Sequence, residues 1–169
     1  TCGYATTDFD LWPETSKMIL VLLMFIGACA GSTGGGFKIS RLLILCKAIP
    51  KQLSLVIHPR EVKVIRMDGK PIDHNTLRST NVYLAIYFFI LLVSTLLISV
   101  DNFNLTTNFT AVASTLNNIG PGLDSVGPTR NFGMYSDFSK FVLMFDMLAG
   151  RLELYPLLIL FMPSLWRRK

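Results

Sequence analysis

Glycine clusters at two places are the parts of this chain best suited to chemistry. One is the run from Gly31 to Gly36 (GSTGGG), and the other is the stretch from Asn118 to Gly122 (NIGPG). Glycine allows backbone conformations that other residues rarely adopt, so successive carbonyl oxygens can be aimed at one point. Carbonyl oxygens arranged in this way can replace the hydration shell of a monovalent cation. At the second of these clusters, the glycines therefore predict ion coordination by backbone atoms.

The second cluster follows a short predicted helix from Thr106 to Asn117 (TTNFTAVASTLN), for which Thr106 or Thr107 is a suitable N-cap. A helix that ends at a glycine turn points the negative end of its dipole and its free carbonyls at that turn. The candidate lining segments are Thr1-Cys2-Gly3 and Asn118-Ile119-Gly120. The pattern alone fits a re-entrant pore helix and an amphipathic surface helix equally well.

The run from Gly31 to Gly36 has three possible interpretations. With Lys38 it resembles a phosphate loop, but Phe37 interrupts that motif, Ile39 stands where Ser or Thr is required, and no strand precedes it. Close packing of small residues against a neighbouring helix is the structural alternative, but the run is longer than such a notch needs. We therefore predict a flexible constriction in a pathway.

Three charged residues lie in the last apolar segment. Arg151 falls mid-helix, where a charge costs roughly 2.5–3.5 kcal/mol on insertion scales. Glu153, two positions on, points to a different helix face and is not an obvious partner. We expect Arg151 to touch the glycine run or to face the pathway. Asp146 lies nearer the outside, and the sequence leaves open whether it lines a mouth or pairs with another helix.

Other reactive residues form no pattern typical of a site. The 3 cysteines are too widely spaced for a metal cluster. His58 and His74 lie in polar sequence, where solvated side chains are expected. The sequence contains no recognisable catalytic triad, carboxylate pair or metal-ligand spacing. We therefore predict no enzymatic activity, and no cofactor or metal in this chain other than a transported ion.

Long apolar segments are the elements that must position these residues. Of the 169 residues, 51% are hydrophobic and 16% are charged, against about 25% charged in soluble domains. Residues 81–100 carry no charge and match a hydrocarbon layer of about 30 Å. Residues 141–165 predict another crossing. Residues 18–28 are too short to cross a membrane alone. Together with the apolar stretch after Gly36 they predict one membrane helix that is interrupted by glycine. The irregular backbone at such an interruption must be buried in protein or line a water-filled cavity.

The charges are distributed in blocks. Residues 48–78 and the tail 167–169 are rich in Lys and Arg, whereas residues 1–15 are acidic and contain no basic residue. Because basic loops concentrate on the cytoplasmic side, we place 48–78 and the C-terminus inside, and 1–15 and 101–137 outside. The net charge of +5 does not indicate nucleic-acid binding, since the basic stretches flank apolar segments.

An internal repeat links the two glycine clusters. Ser16-Lys17 precedes an apolar run that reaches Gly27, and Ser139-Lys140 precedes one that reaches Gly150 at the same offset. The repeat sets Ala28 at the level of Arg151. Each run also follows a glycine turn. The sequence thus predicts the end of one loop–helix unit and a complete helix–loop–helix unit, which favours the pore-helix interpretation and predicts that further sequence precedes Thr1.

Several stretches resemble the Trk/Ktr/HKT superfamily of potassium transporters, and in particular the bacterial Trk potassium-uptake membrane subunits. They are TCGYATTDFDLWP (1–13), GACAGSTGGGFKISRLL (27–43), HPREVKVIRMDGKPI (58–72), LNNIGPGLDSVGP (116–128) and AGRLELYPLLILFMPSLW (149–166). The resemblance implies an all-α membrane protein with a potassium-channel-like fold, built from helix–re-entrant pore loop–helix repeats and containing a glycine-broken transmembrane helix.

The resemblance also implies roles for individual residues. Residues 1–47 would end the third pore repeat, 48–78 would form a cytoplasmic connector, and 79–169 would be the fourth repeat. The potassium-binding filter would comprise Thr1, Cys2, Gly3 and Tyr4 in one repeat, and Asn118, Ile119 and Gly120, followed by Pro121, in the other. The intramembrane gate loop would comprise Gly27, Gly31, Ser32, Thr33, Gly34, Gly35 and Gly36. Arg151 would be the charge associated with the gate.

The partners implied by the resemblance lie outside this chain. They are the missing N-terminal repeats, a second copy in a homodimer, a cytoplasmic nucleotide-binding regulatory subunit of the Trk type, and membrane lipid, but no nucleic acid. The protein would be a multi-pass component of the cytoplasmic membrane that takes up K⁺. Two alternatives are a cation-coupled secondary transporter with a midplane site at the broken helix, and a structural membrane subunit packed through small residues.

Overall fold

The computed structural model describes residues 3–29, 31–32, 34–58, 64–67 and 69–152. In this part of the chain the helices are α1 (Glu14–Phe25), α2 (Ile39–Ile57), α3 (His74–Ile98), α4 (Leu105–Leu116) and α5 (Asp137–Leu152). Short 3₁₀ turns lie at Phe9–Leu11, Ser99–Asp101, Asp124–Val126 and Phe132–Met134. Two strands, β1 (Arg66–Met67) and β2 (Lys70–Pro71), form a small antiparallel hairpin. The all-α fold class is confirmed.

The predicted interruption by glycine is also confirmed. α1 ends at Phe25 and α2 begins at Ile39, so residues 26–38, which we call the glycine loop, separate two helices. Gly31 and Gly36 have φ of 82° and 84°, a left-handed conformation that costs other residues about 1 kcal/mol or more. The two ends of the loop are tied together, because the Gly27 N–H donates to the Phe37 carbonyl (2.9 Å).

α2 is longer than the charge pattern indicates. Residues 48–57, assigned to the polar connector from sequence, continue this helix through Pro50 to Ile57. The apolar residues of that stretch keep a helical spacing, which outweighs the bond that Pro50 removes. Lys47 donates to the Arg66 carbonyl (3.0 Å) and ties α2 to the β-hairpin.

Within the described residues, one helix, α3, is long and apolar enough to cross a membrane. With the following turn it covers His74–Asp101. It contains the predicted crossing 81–100. α5 covers the first part of the predicted crossing 141–165, whereas residues 153–165, Trp166 and the basic tail lie outside the described residues. α3 and α5 both pack against α4.

α4 occupies the centre of the molecule. From Thr110 to Asn117 every residue is buried, whatever its helix face. An amphipathic surface helix would expose one face, so this burial favours the re-entrant alternative. The predicted N-cap was wrong: Asn104 is the cap position, and Thr106 lies inside the first turn. Thr107 does not cap the helix because its hydroxyl donates to the Asp124 carboxylate (2.7 Å).

Candidate functional site: a glycine loop beside two glycine turns

The two predicted lining segments meet at their glycines. Gly3 (φ 75°) and Gly120 (φ 117°) both adopt left-handed conformations. A Cβ at Gly3 would stand 2.9 Å from the Ile119 carbonyl oxygen, and a Cβ at Gly120 would stand 3.2 Å from the Gly3 Cα. Glycine is therefore required at both positions for backbone conformation and for close approach. Thr1 and Cys2, also predicted for this segment, lie outside the described residues.

Ser114 holds the second turn in place. Its hydroxyl donates to the Gly120 carbonyl (2.6 Å) and accepts the Gly120 N–H (3.1 Å). Its own carbonyl accepts the Ile119 N–H (2.9 Å). Ser114 is fully buried in α4. Ser114 was not predicted from the sequence. The only indication of its role is a hydroxyl in α4 about a turn and a half before Gly120.

The side chains of two predicted filter residues, Tyr4 and Asn118, are exposed in one case and bonded to α5 in the other. Tyr4 is 97% exposed. Asn118 has a left-handed conformation (φ 54°), and its side-chain amide donates to the Met147 carbonyl of α5 (3.2 Å). The Asn118 side chain therefore anchors the 118–122 turn to the last helix. Its backbone is the part that remains available for lining.

The glycine loop packs against the end of α4, immediately before the 118–122 turn. A Cβ at Gly35 would stand 2.8 Å from the Asn117 carbonyl oxygen, and a Cβ at Gly36 would stand 2.6 Å from Asn117 Oδ1. Asn117 is almost completely buried. The loop predicted as a constriction is thus in van der Waals contact with the residue that leads into the turn.

The remaining gate-loop residues show how the loop is built. Gly27 closes it through the bond to Phe37. A Cβ at Gly31 would meet no other described atom within 4 Å, so the positive φ is what favours glycine there. The Ser32 hydroxyl accepts the Gly34 N–H (3.2 Å), a local bond that stabilises the bend. Thr33 lies outside the described residues.

Arg151 lies on the other side of the 118–122 turn. Its exposed side chain lines a cavity together with Asn118, Ile119 and Met147. Gly27, Ala28 and Gly35 line a different cavity, which Gly3 and Ile119 also border. Arg151 and the glycine loop therefore border different cavities, on the two sides of the 118–122 turn. Asn118 is placed between them, since it borders the Arg151 cavity and touches Gly35.

Asp146 pairs with another helix, which settles the question that the sequence left open. It is fully buried in α5, and its Oδ1 accepts the Ser94 hydroxyl of α3 (2.8 Å). Its Oδ2 has no hydrogen-bond partner in the part of the chain that the structure describes. A buried carboxyl in a membrane segment is costly, and it is directed at α3 rather than at a cavity mouth.

Carboxylates join the segment before α1 to the loop after α4. Asp10 accepts the Asp124 N–H (2.9 Å) and lies against Gly127, where any Cβ would overlap its carboxylate. The Thr107 hydroxyl that donates to Asp124 holds the pKa of that carboxyl below its usual value, with a smaller contribution from Asn104. The two units of the internal repeat are therefore linked at this end of the molecule.

A short, buried, non-spanning helix that ends in a glycine turn, enclosed by longer apolar helices, defines an all-α membrane protein of the helix–re-entrant loop–helix class. The family model TrkH, described as a cation transport protein, matches residues 1–168, and the chain belongs to this family.

Similar proteins carry the same family name. The chain is 39% identical, over 99% of its length, to the Trk system potassium uptake protein TrkH of Vibrio parahaemolyticus, and 36% identical to that of Escherichia coli. The crystal structure of the potassium transporter TrkH from Vibrio parahaemolyticus matches 98% of the chain with a TM-score of 0.86, and the chain covers 35% of that structure. The chain spans about a third (34%) of the two relatives.

Proposed function

We propose that the whole protein takes up K⁺ through a carbonyl-lined filter and that the glycine loop gates this pathway. The observation that carries the proposal is the arrangement of three glycine segments around the end of α4: Gly3 meets Gly120, and Gly35 and Gly36 pack against Asn117. Relatives that are named potassium uptake proteins and align over nearly the whole chain support the same ion.

The filter part of the proposal rests on backbone carbonyls. Oxygens of Thr1, Cys2, Gly3 and Tyr4 and of Asn118, Ile119 and Gly120 would substitute for water around K⁺. The Ile119 oxygen lies at the contact between the two turns. The Gly120 oxygen already accepts a hydrogen bond from the Ser114 hydroxyl, so it would contribute less to coordination of the ion. α4 directs its negative dipole end at this turn.

The gate part rests on the irregular backbone of the glycine loop. Backbone without regular hydrogen bonds persists in a membrane only where protein or water covers it. The loop lies beside the turn and closes on itself through Gly27 and Phe37. Arg151, which borders the same turn from the opposite side, would favour the closed arrangement of the loop by its charge.

The organisation of the whole protein follows the same proposal. Residues 1–47 end one pore repeat, 48–78 connect it on the cytoplasmic side, and 79–169 form the next repeat, with the C-terminus on the cytoplasmic side of the membrane. Since the chain spans 34% of its relatives, further repeats would complete the pore. A homodimer and a cytoplasmic nucleotide-binding subunit complete the proposed assembly, and the basic stretch 48–78 is the contact for that subunit.

Rubidium uptake by the full-length protein, in cells that lack their own potassium uptake, tests this function. We expect saturable uptake that potassium inhibits and that excess sodium inhibits far less. Arg151→Ala should raise the uptake rate, because the charge that favours closure is lost. Arg78→Ala, at an exposed arginine near the start of α3, is the matched control and should leave the rate unchanged.

Absence of rubidium uptake in the unmodified protein would overturn the proposed function. Uptake that Arg151→Ala does not change would overturn the role of Arg151 in gating, and would leave the filter unaffected. Uptake that depends strictly on a sodium or proton gradient would instead support the cation-coupled transporter.

A further inference from the structure

Asn117 joins three parts of the molecule through its side-chain amide. Its Oδ1 accepts the Tyr87 hydroxyl of α3 (2.9 Å), and its Nδ2 donates to the Ala113 carbonyl of α4 (2.7 Å). The same Oδ1 stands 2.6 Å from where a Cβ of Gly36 would be. The amide therefore has one orientation available, and the glycine loop is shaped to fit that orientation.

Tyr87 reaches the glycine loop a second time through its ring. The ring contacts Phe37, at the end of the loop, with centroids 6.2 Å apart, and Phe25, at the end of α1, at 6.5 Å. Phe37 also accepts, through its carbonyl, the bond that closes the loop. Tyr87 is 2% exposed. One tyrosine thus touches both ends of the loop and the residue that follows α4.

We propose that the hydrogen bond between Tyr87 and Asn117 is a positioning device that holds the glycine loop against the end of α4. With the bond made, the Asn117 amide is fixed and Gly35 and Gly36 can seat on it. Without the bond, the amide can rotate and the loop loses the surface it packs on. This inference rests on the proposed function only in its consequence, which is that releasing the loop opens the pathway.

The protein contains a matched hydrogen bond at the other end of α4. The Tyr135 hydroxyl donates to Asn108 Oδ1 (3.0 Å), and both residues are buried. The donors, acceptors, distances and burial resemble those of Tyr87 and Asn117. The Tyr135 ring contacts Phe103 and Phe132, which belong to the segments before and after α4 and not to the glycine loop. Tyr135→Phe is therefore a control for loss of an equivalent bond.

The experiment compares Tyr87→Phe with Tyr135→Phe in the full-length protein. Each substitution removes one hydroxyl and keeps the ring. Hydrogen–deuterium exchange of a peptide that covers residues 26–38 measures the loop directly, without reference to transport. We expect about fivefold faster exchange in Tyr87→Phe, the factor that loss of one typical hydrogen bond gives, and no change in Tyr135→Phe. Both variants should lose similar thermal stability.

Rubidium uptake by the same two variants then tests whether release of the glycine loop increases ion flux. Tyr87→Phe should raise the maximal rate about fivefold with the half-saturating concentration unchanged, since a gate controls how often the pathway is open and a filter controls how the ion binds. Tyr135→Phe should change neither quantity. Equal exchange in the two variants would overturn the positioning role.

The remaining outcomes are also distinguishable. A changed half-saturating concentration at an unchanged maximal rate would overturn the inference by assigning Asn117 to the filter. Faster loop exchange in a protein that takes up no rubidium would support the positioning role and overturn the proposed function, so the two can fail separately.

Discussion

α1 and α5 begin alike and end differently. Each starts near a Ser-Lys pair, Ser16-Lys17 or Ser139-Lys140, and each pair is followed by a glycine at the same offset. α1 ends at Phe25, before Gly27 is reached, whereas α5 continues through Gly150. A single glycine therefore does not end a helix at this level of the membrane; the residues that follow it decide.

α1 and α5 end differently because the free-energy cost of placing glycine in a helix accumulates with each glycine. Each glycine in a helix interior costs about 1 kcal/mol relative to alanine. Gly27 precedes the run Gly31 to Gly36, so continuing α1 would accumulate this cost several times, whereas Gly150 precedes Arg151 and Leu152. In the lipid environment a lone glycine is tolerated, and a cluster is tolerated only where the loop finds partners of its own.

Both glycines nevertheless serve one purpose, which is close approach of two backbones. A Cβ at Gly27 would stand 2.7 Å from the Phe37 carbonyl oxygen of the glycine loop. A Cβ at Gly150 would overlap the Leu116 carbonyl oxygen of α4. The equivalent position thus contacts a loop in one unit and the pore helix in the other. We expect substitutions to affect the proposed gate in the first unit and folding in the second.

Gly150→Ala and Gly27→Ala test this comparison, and Gly150→Ala should have the largest effect on stability. The added methyl at position 150 meets rigid helix backbone, so we expect a loss of about 3 kcal/mol or more in the full-length protein, the upper range for overpacking. The methyl at position 27 meets the backbone of Phe37 in the glycine loop, at a longer distance than the overlap at position 150. Gly27→Ala should therefore cost less stability than Gly150→Ala, and it should change the rubidium uptake rate because the glycine loop must shift to admit the methyl.

A thermal shift assay in detergent, run beside uptake, separates the two results. If Gly27→Ala unfolded the protein as readily as Gly150→Ala, the glycine loop would be as rigid as α4 and a poor gate. Gly31→Ala is a useful third variant, because the φ of 82° is what favours glycine there. It should cost about 1 kcal/mol through backbone strain without any new contact.

The glycine interruption after α1 and the apolar segments could be predicted from the sequence because their causes are local. Glycine weakens a helix wherever it stands, and an uncharged run such as residues 81–100 favours lipid whatever surrounds it. The prediction of a helix over 106–117 differs from α4 by one residue at each end. The internal repeat identifies Gly27 and Gly150 as equivalent from the sequence alone.

The contacts that hold the site could not be predicted, because each joins residues far apart in sequence. Ser94 and Asp146 are 52 residues apart, and Tyr87 and Asn117 are 30 apart. No local pattern distinguishes Tyr87 from Tyr83, or Ser114 from the other hydroxyls of α4. The N-cap prediction was wrong for the same reason, since Thr107 bonds Asp124, 17 residues away. Polar pairing in the interior is set by the packing of helices.

Ser94→Ala removes the hydrogen bond between α3 and Asp146 of α5, a bond that α1 lacks at the equivalent position. That position in α1 is Leu23, which is 53% exposed. Removing the Ser94 hydroxyl leaves the buried Asp146 carboxyl unpartnered within the described residues, which typically costs about 1–3 kcal/mol. The double variant Ser94→Ala/Asp146→Leu should regain most of this stability, because neither polar group is then left buried.

Thermal unfolding of the two variants in detergent checks this expectation. Ser99→Ala is the control, since the Ser99 hydroxyl is exposed and donates to the nearby Leu96 carbonyl at the end of its own helix. A double variant that is less stable than Ser94→Ala alone would mean that Asp146 contributes something other than its bond to Ser94.

Thr107→Val tests the bond that holds the Asp124 side chain, the residue whose N–H links the two units, and should have the smallest effect. The Thr107 hydroxyl lowers the pKa of Asp124, so its contribution to stability is present above the ordinary carboxyl pKa of 3.8 and is lost as the pH falls through the lower folded value. The melting temperature of Thr107→Val should therefore be lower than that of the original protein at pH 7, and this difference should shrink in acid. Thr107→Ser, which keeps the hydroxyl, should retain the pH dependence. A difference that is constant with pH would show that the stability lost in Thr107→Val does not come from the bond to Asp124, since valine keeps the Thr107 methyl group.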